Sequence, residues 1–479
     1  MKKRTVIANM LWRFAERCGA QGVSFMVSLI LARLLLPEMY GVVALITVFT
    51  AALNLFVDSG LKNALIQKKN ADQLDFSTVF YCNVALGIVL YLGMLLAAPL
   101  IAQFYQRPEL TSYIRVLSLT LVLGGVNGVQ TAVVSKRMQF RKYFYATLSG
   151  TMASAIIGVA MAAMGFGVWA LIAQRLVNQA VDTIVLWVTV RWYPTREFSL
   201  TRLKPMFGYG SKILCSSLLD SLTANLSGLL IGKLYSADSL AYYDKGKSVP
   251  FFVIQNIQTA VQSVLFPVLA EEQDQVKRVR RILQQSIQVS AYCIIPCMVG
   301  IGVCARPLIR VLFTEKWISM TPFLQLWCFV CAFYLLHTAN LQVIQALGHS
   351  GLYLRLEVIK QALSLAAMAL AIPFGVLAMM QVMCIVTALS LYINARPNHR
   401  LIGYGFWAQM RDLTPILLLN LLMGVLVYLV GRLPFGDVPI LLVQGAVGVG
   451  VYAAGSRILR LEIARYLLDT VRDLITRKQ

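Results

Sequence analysis

The sequence predicts an all-α integral membrane protein with about fourteen transmembrane helices. Of its 479 residues, 58% are hydrophobic and only 13% are charged, which leaves too little polar surface to cover a soluble fold of this size. Apolar runs of about 20 residues recur along the chain, each long enough to cross a hydrocarbon core roughly 30 Å thick. Their continuity favours helices, because barrel strands would be shorter and would alternate in polarity.

Two groups of six helices, separated by a basic link, account for most of the apolar runs. The first group is predicted at about 9–36, 40–62, 77–105, 111–135, 143–164 and 167–191. The second is predicted at about 209–234, 245–270, 284–312, 319–347, 352–372 and 374–396, with two further helices at 413–432 and 436–455. The predicted organisation is an N-terminal bundle (1–192), a cytoplasmic linker (193–208), a C-terminal bundle (209–396), two additional helices (397–455) and an amphipathic cytoplasmic tail (456–479).

The distribution of basic residues predicts the orientation in the membrane. Alternate links are rich in Lys and Arg, and such links face the cytoplasm. They contain Lys68, Lys69, Lys136, Arg137, Arg202, Lys204, Lys277, Arg278, Arg396 and Arg400. Because the alternation persists to the end, an even number of helices and two cytoplasmic termini are predicted, in a bacterial inner membrane. The net charge of +22 reflects this bias and contact with anionic lipid headgroups, and no nucleic-acid partner is predicted.

The tail beyond residue 456 has a different pattern. Leu461, Leu468, Val471 and Ile475 recur at helical spacing among arginines, which predicts an amphipathic helix on the cytoplasmic leaflet. A surface-lying helix is the main interpretation, and recruitment of a partner protein is the alternative.

Motifs for metal binding or covalent chemistry are missing from the sequence. Of nine cysteines nearly all lie in apolar runs, and the C-x-x-C pair Cys328 and Cys331 has no second ligand pair nearby, so packing is favoured over metal binding. There is no P-loop and therefore no predicted ATP site. The sequence predicts no catalytic residue, no metal and no cofactor, and so favours a transporter over an enzyme.

The two groups of six helices form an internal repeat. At a shift of 200 residues Glu38 aligns with Asp238, and at a shift of 208 Gly167 aligns with Gly375. Because six is an even number, both halves start on the same side of the membrane, and their pseudo-two-fold axis runs along the membrane normal. Two such bundles enclose a central cleft that opens to either side in turn, which favours alternating access over a static pore.

Three turn motifs resemble those of a known family. Residues 32–41, ARLLLPEMYG, resemble the turn after its first helix; residues 165–171, GFGVWAL, and 305–313, ARPLIRVLF, followed by Trp317, resemble two later turns. This is the polysaccharide-transport family of the MOP exporter superfamily, and the similarity is greatest to the Wzx-type flippases, in the branch that includes the colanic acid exporter. Thr314 and the segment 236–238, which lacks the proline, depart from the pattern.

The resemblance implies a MOP, or MATE-like, fold and a function. Wzx-type flippases move undecaprenyl-diphosphate-linked repeat units from the cytoplasmic to the periplasmic leaflet, for exopolysaccharide, O-antigen or colanic-acid-type biosynthesis. The implied partners are this lipid-linked oligosaccharide, membrane lipids, and a polysaccharide polymerase or other assembly proteins. The motifs shape turns, so they identify the family better than the sugar.

Charged residues near the start of the chain are candidates for binding the diphosphate. Arg13 and Arg17 lie four residues apart on one helical face, and guanidinium groups bind phosphate oxygens in bidentate fashion. Glu16 would offset part of their charge when the site is empty. Snorkelling of the arginines to the interface is the structural alternative.

Polar residues deeper in the helices are further candidates, because ionisable groups inside a membrane are costly. The predicted substrate-binding residues are Arg175 and Asn178 on the sixth helix and Gln255 and Gln258 on the eighth. The predicted ion-coupling residues are Asp58, Asp182 and Asp220. The tenth helix carries His337, Asn340, Gln342 and Gln345. For every one of these residues a hydrogen bond between helices is the alternative role.

Three other functions compete with the flippase. A multidrug antiporter of the same fold would need acidic intramembrane residues for cationic drugs, whereas the charge here leans towards Arg and Lys. A polysaccharide polymerase or ligase would need a long periplasmic loop, which the predicted helices do not leave room for. A scaffold would not need polar stripes inside the membrane.

Overall fold

The computed structural model describes residues 21–58, 61–68 and 71–466, together with Gly19 and Asp469. Within these ranges the chain is almost entirely helical and contains no strand. The all-α class predicted from the composition is therefore confirmed.

The described residues up to 271 form ten helices. They are α1 (Gln21–Leu34, its described part), α2 (Pro37–Asp58), α3 (Leu61–Gln67), α4 (Gln73–Phe104), α5 (Leu110–Leu117), α6 (Leu119–Lys136), α7 (Phe140–Ala163), α8 (Val168–Val190), α9 (Leu200–Leu234) and α10 (Ala237–Glu271).

Eight helices follow in the described residues between 276 and 458. They are α11 (Val276–Val303), α12 (Ala305–Leu312), α13 (Thr321–Ala332), α14 (Tyr334–Ala346), α15 (Ser350–Ala371), α16 (Val376–Ile402), α17 (Phe406–Val430) and α18 (Asp437–Ile458), with short 3₁₀ segments at Glu315–Met320 and Ile372–Phe374.

Ten segments of the described chain are long and apolar enough to cross a membrane. They coincide with the predicted second to fifth and ninth to fourteenth helices. The predicted sixth, seventh and eighth helices exist as α8, α9 and α10, of which the shortest has 23 residues, or about 34 Å at 1.5 Å per residue. Their polar residues lower their hydropathy. The predicted count of fourteen is consistent with this pattern.

The helix ends differ from those predicted. α9 begins at Leu200, inside the predicted linker, and α11 begins at Val276, eight residues before the predicted start at 284. α16 extends to Ile402 and α17 begins at Phe406. Hydropathy locates only the part of a helix that lies in hydrocarbon, whereas Lys, Arg and Gln residues are good helix formers that extend it beyond the membrane.

Backbone geometry confirms the internal repeat. α1 ends and α2 begins at Leu34 and Pro37, and α9 ends and α10 begins at Leu234 and Ala237, a shift of 200 residues. Later turns repeat at shifts of 208 and 210 residues, each with a left-handed residue at the same place. These pairs are Gln106 and Thr314, Met138 and Gly348, and Gly167 and Gly375.

The chain folds into two compact units, residues 1–241 and 242–479. In the first unit α9 packs against α2, α3 and α4, so the boundary between the units falls inside α10 and not at the linker. The division into two six-helix domains at residues 193–208 stays a prediction. The core of the first unit includes Leu31, Ile46, Leu121 and Ile172, all fully buried.

Candidate functional site

Polar side chains of α8 form hydrogen bonds to two neighbouring helices of the first unit, α6 and α7. Asn178 Nδ2 donates to Ser154 Oγ of α7 at 3.3 Å, and Gln179 Nε2 donates to the Thr120 carbonyl of α6 at 2.9 Å. Asp182 Oδ2 accepts from Asn127 Nδ2 of α6 at 2.9 Å. These bonds fix α8 between α6 and α7, which is the structural role that the sequence left open.

The contact between α7 and α8 depends on a glycine. A Cβ at Gly150 would lie 2.7 Å from the Asn178 carbonyl oxygen and 3.4 Å from Asp182 Cβ. The two helices therefore approach closely where the polar residues lie. This closeness accompanies the hydrogen bond from the Asn178 amide to Ser154 on α7.

Arg175 differs from the other polar residues of α8 because it is exposed. Its Nη1 donates to Thr47 Oγ1 of α2 at 2.7 Å. Arg175 lies seven residues after the start of α8, about 10 Å along the helix. A guanidinium has five N–H donors, and its planar shape suits carboxylate and phosphate groups.

The internal repeat provides a control for this polar face. At the shift of 208 residues, the α16 residues equivalent to Arg175, Asn178 and Asp182 are Met383, Val386 and Ser390. The same helix position therefore folds in the second half without charge. The charge at Arg175 is therefore not shared by the two halves of the repeat.

The other predicted site residues are only partly described. Arg13, Glu16 and Arg17 lie outside the described residues. Asp58 and Asp220 belong to α2 and α9, but their side chains are also outside the described part. In the second unit Gln255 is exposed and Gln258 half-buried, both on α10. The structure therefore brings Arg175, Asn178 and Asp182 onto one helix face and leaves the assignment of roles a prediction.

The sequence did not reveal an apolar groove in the second unit. It lies between α11, α17 and α18 and has a volume of about 720 Å³. Small residues on two of the helices make room for it, among them Gly300, Gly445 and Gly448. Gln444 also lines it, buried and donating to the Val427 carbonyl at 3.0 Å. The glycines spaced along α18 could have indicated the groove. Glycines in membrane helices equally mark contacts between helices, so they did not distinguish the two.

A buried amide network joins α14, α16 and α17. Asn340 and Gln409 exchange two hydrogen bonds, at 3.0 and 2.7 Å, and Asn398 Nδ2 donates to Asn340 Oδ1 at 2.8 Å. His337 Nδ1 lies 3.3 Å from Asn394 Nδ2. Two polar residues of the predicted tenth helix thus bond to other helices, which was the alternative to a substrate contact.

An ionic cluster that the sequence did not predict lies at the start of α4. Asp75 is fully buried and accepts from Lys68 Nζ at 2.7 Å, and Arg202 of α9 pairs with Asp72 and lies 3.5 Å from Asp75. Hydrogen bonds from the Asp75 backbone N–H and from Arg202 hold the pKa of Asp72 below its ordinary value. The cluster, Lys68–Asp72–Asp75–Arg202, joins the α3–α4 link to the start of α9.

Further hydrogen bonds attach residues 191–199 to the same region. Gln130 Nε2 donates to the Trp192 carbonyl at 2.9 Å, and Trp192 Nε1 donates to Gln73 Oε1 at 2.8 Å. The Thr195 backbone N–H donates to Ser77 Oγ at 2.9 Å. The predicted linker is thus an ordered segment fixed to α4 and α6.

Possible metal ligands do not cluster in the described residues, where no group of three or more His, Cys, Asp or Glu side chains is arranged to hold an ion. Cys328 and Cys331 are buried on α13. Their position fits the packing role that the sequence favours.

The chain is similar to proteins that are named for polysaccharide biosynthesis. Over 474 residues the chain is 25% identical to the succinoglycan biosynthesis transport protein ExoT of Rhizobium meliloti, covering 98% of this chain and 96% of that protein. It is 26% identical to the lipopolysaccharide biosynthesis protein WzxC of Escherichia coli over 68% of this chain and 67% of that one. Both are named for the biosynthesis of polysaccharides, one of them as a transport protein.

Solved structures establish the fold. The structure of the lipid II flippase MurJ in its inward closed conformation matches with a TM-score of 0.77, covering 95% of this chain and all of that one at 12% identity. An inward-facing MATE-family multidrug transporter of the MOP superfamily matches with a TM-score of 0.63, covering 80% of this chain and 94% of that one at 15% identity. The MOP fold implied by the turn motifs is thereby confirmed, and the chain is a multi-pass membrane protein.

The family is shown by the sequence itself. The profile of the family described as "Polysaccharide biosynthesis protein" matches residues 30–322, more than half of the chain, and this range contains all three turn motifs. The chain belongs to this family of polysaccharide biosynthesis proteins.

Proposed function

We propose that this protein is a flippase that moves undecaprenyl-diphosphate-linked oligosaccharide repeat units from the cytoplasmic to the periplasmic leaflet of a bacterial inner membrane. The product would supply the synthesis of an exopolysaccharide, O-antigen or colanic-acid-type polymer. Both termini would lie in the cytoplasm, as the distribution of Lys and Arg predicts. The family, the transport function named for a relative and the MOP fold all support this proposal.

One observation carries the proposal beyond the family. Arg175 presents an exposed guanidinium on a membrane helix, and its repeat equivalent is Met383. A charge at this depth is costly and is usually retained for function. Guanidinium binds phosphate oxygens with directed, charge-assisted hydrogen bonds. The diphosphate is the anionic part of the proposed substrate, so we assign Arg175 to it.

The groove of the second unit suits the other end of the substrate. Its lining is apolar apart from a few groups such as Gln444, and its volume of about 720 Å³ is within the range that encloses drug-sized ligands. A polyprenyl chain would gain by leaving lipid for such a groove mainly through close packing, since lipid tails are equally apolar. We assign part of the polyprenyl tail to this groove.

Reconstitution into liposomes tests the function directly. We expect the purified protein to make a fluorescent polyprenyl-diphosphate oligosaccharide accessible to an impermeant quencher on the opposite leaflet. Flipping of the monophosphate analogue should be slower by about 10- to 100-fold, because one charge-assisted phosphate contact contributes about 1.5–3 kcal/mol. Liposomes without protein are the control. Transport of a cationic drug with no flipping of the lipid would instead support a multidrug antiporter.

A substitution in the groove tests the assignment of the tail. No heavy atom lies within 4 Å of a Cβ built at Gly445, so the ring in Gly445→Phe can enter the groove without a clash. We expect slower flipping with a normal amount of folded protein, because the ring occupies the space for the tail. Gly450→Phe is the matched control, since Gly450 lies on the same helix, has equally open surroundings and does not line the groove. Equal rates for the two variants would contradict the assignment.

A further inference from the structure

Two turns related by the internal repeat contact each other within the first unit. They are the α1–α2 turn, residues 34–41, and the α9–α10 turn, residues 234–241. A Cβ built at Gly41 would lie 1.8 Å from the Ala237 carbonyl oxygen. The backbones therefore touch directly, and any side chain at position 41 would force them apart. Gly41 is the last residue of the turn motif, so the motif glycine is explained by this contact.

The contact extends from the turns along the helices on both sides. A Cβ built at Gly232 would lie 2.1 Å from Leu45 Cδ2, so α9 also approaches α2 closely. Ala237 is only 4% exposed and belongs to the same apolar cluster as Val42 and Ile46. The centre of the junction is thus buried, and its closest approaches are made at the small residues Gly41, Gly232 and Ala237, which bury little area per residue.

Charges surround one edge of this junction. Arg107 Nη2 donates to Glu38 Oε1 at 2.7 Å, while Glu109 lies farther from Arg107, at 3.8 Å. Burial and the nearby Glu38 carboxylate raise the pKa of Asp238, and Arg107 opposes this effect. Arg107 is therefore paired with Glu38 of the first turn and acts electrostatically on its repeat equivalent in the second turn, Asp238. Lys233 adds a second cation, which donates to the Phe104 carbonyl.

The two ends of α9 are held in contrasting ways. At its start Arg202 joins the cluster around the fully buried Asp75. At its end the junction is held by small residues and by Arg107, whose partner Glu38 is half-exposed. Exposed ion pairs stabilise weakly, so this junction can separate at a lower cost than the cluster. By the predicted orientation, the turn after the first helix faces the outside.

We propose that the α1–α2 and α9–α10 turns form the outer gate of the transporter, closed in this structure, and that Arg107 latches it by bridging Glu38 and Asp238. The gate rests on the proposed function, because a flippase must open towards the outside to release its substrate. Separation of Gly41 from Ala237 opens the gate, and pairing of Arg107 with the two acids closes it. Arg107 is a positioning residue that does not contact the substrate.

A cross-link tests whether the junction must open. Leu45 Cγ lies 3.5 Å from a Cβ built at Gly232, so cysteines at the two positions, L45C and G232C, suit a disulfide. We expect oxidation to form the cross-link and to lower flipping at least tenfold, and reductant to restore it. The single variants, L45C and G232C, treated in the same way are the controls. Full flipping by the cross-linked protein would overturn the gate.

A labelling experiment tests the latch without relying on transport. In A237C the thiol is buried in the closed junction, so an impermeant maleimide added outside should react slowly. Adding Arg107→Ala should speed labelling about two- to fivefold, which is the fold-change that corresponds to the free energy of one exposed ion pair. Adding Glu109→Ala to A237C is the control and should change the labelling rate little. The exchanged pair E38R with R107E should return labelling towards the parent rate.

The labelling result separates the gate from the substrate. An unchanged labelling rate in the Arg107→Ala variant would overturn the latch even if flipping is confirmed. Faster labelling would support it even if the lipid-linked oligosaccharide proves to be the wrong substrate.

Discussion

Replacing Arg175 with glutamate is expected to abolish export of surface polysaccharide while leaving the amount of protein in the membrane unchanged. The exchange puts a carboxylate where the diphosphate is proposed to bind, so attraction becomes repulsion. Arg175→Ala should be milder, with flipping lower by about 10- to 100-fold, since one charge-assisted contact contributes about 1.5–3 kcal/mol. Flipping in proteoliposomes and polysaccharide on intact cells are the measurements.

Three variants refine this test. Arg175→Lys keeps the charge and loses the planar fork, so a poor rescue would show that bidentate geometry matters. Thr47→Val removes the hydroxyl that accepts from Arg175 Nη1 and should have a small effect, because the guanidinium remains. Arg191→Glu is the matched control, an exposed arginine just beyond the end of α8. If Arg175→Glu exports as well as the Arg191 control, Arg175 has no role in substrate binding.

Replacing Asp75 with alanine is expected to lower the stability of the folded protein by about 3 kcal/mol. That is the low end of the cost of breaking a buried ion pair, chosen because Lys68 and Arg202 are 36% and 39% exposed and can recover some hydration. The change also removes the carboxylate that accepts from the Asp72 backbone N–H in the capping box of α4. Thermal unfolding in detergent, followed by thiol reactivity, is the measurement.

Asp72→Asn is the matched control for this cluster. Asparagine retains an oxygen that can cap α4, and Asp72 is half-exposed, so the expected loss is below about 1 kcal/mol. Equal unfolding temperatures for Asp75→Ala and the parent protein would contradict a structural role for the cluster. A loss of transport at unchanged stability would point to a role in conformational change.

The charged cluster and the latch lie at opposite ends of α9, and neither was visible in the sequence. Asp75 and Arg202 are 127 residues apart, and Glu38 and Arg107 are 69 apart. In the sequence, each of these residues is indistinguishable from an ordinary charged residue at the membrane interface. Only the packing of α9 against α2, α3 and α4 shows which charges pair.

Local constraints explain why the membrane fold could be predicted. In hydrocarbon every backbone group must be bonded within its own helix, so apolar length and flanking charge determine where the chain crosses. The repeat was visible for a similar reason, since turns such as those at Gly167 and Gly375 need a left-handed residue at a fixed place. Helix ends were less predictable, because α9 and α11 continue as polar helix beyond the apolar run.

The sequence by itself determined that this is a polytopic helical membrane protein with an internal repeat and that it resembles polysaccharide transporters. The tertiary structure decided what its polar residues do. Asp182, Asn340 and Arg175 each bond to a neighbouring helix, but only Arg175 is also exposed, although all three have the same appearance in an apolar run. The physical reason is that helical spacing defines a face of a helix, but only packing against distant segments defines whether that face meets another helix, lipid or a cleft.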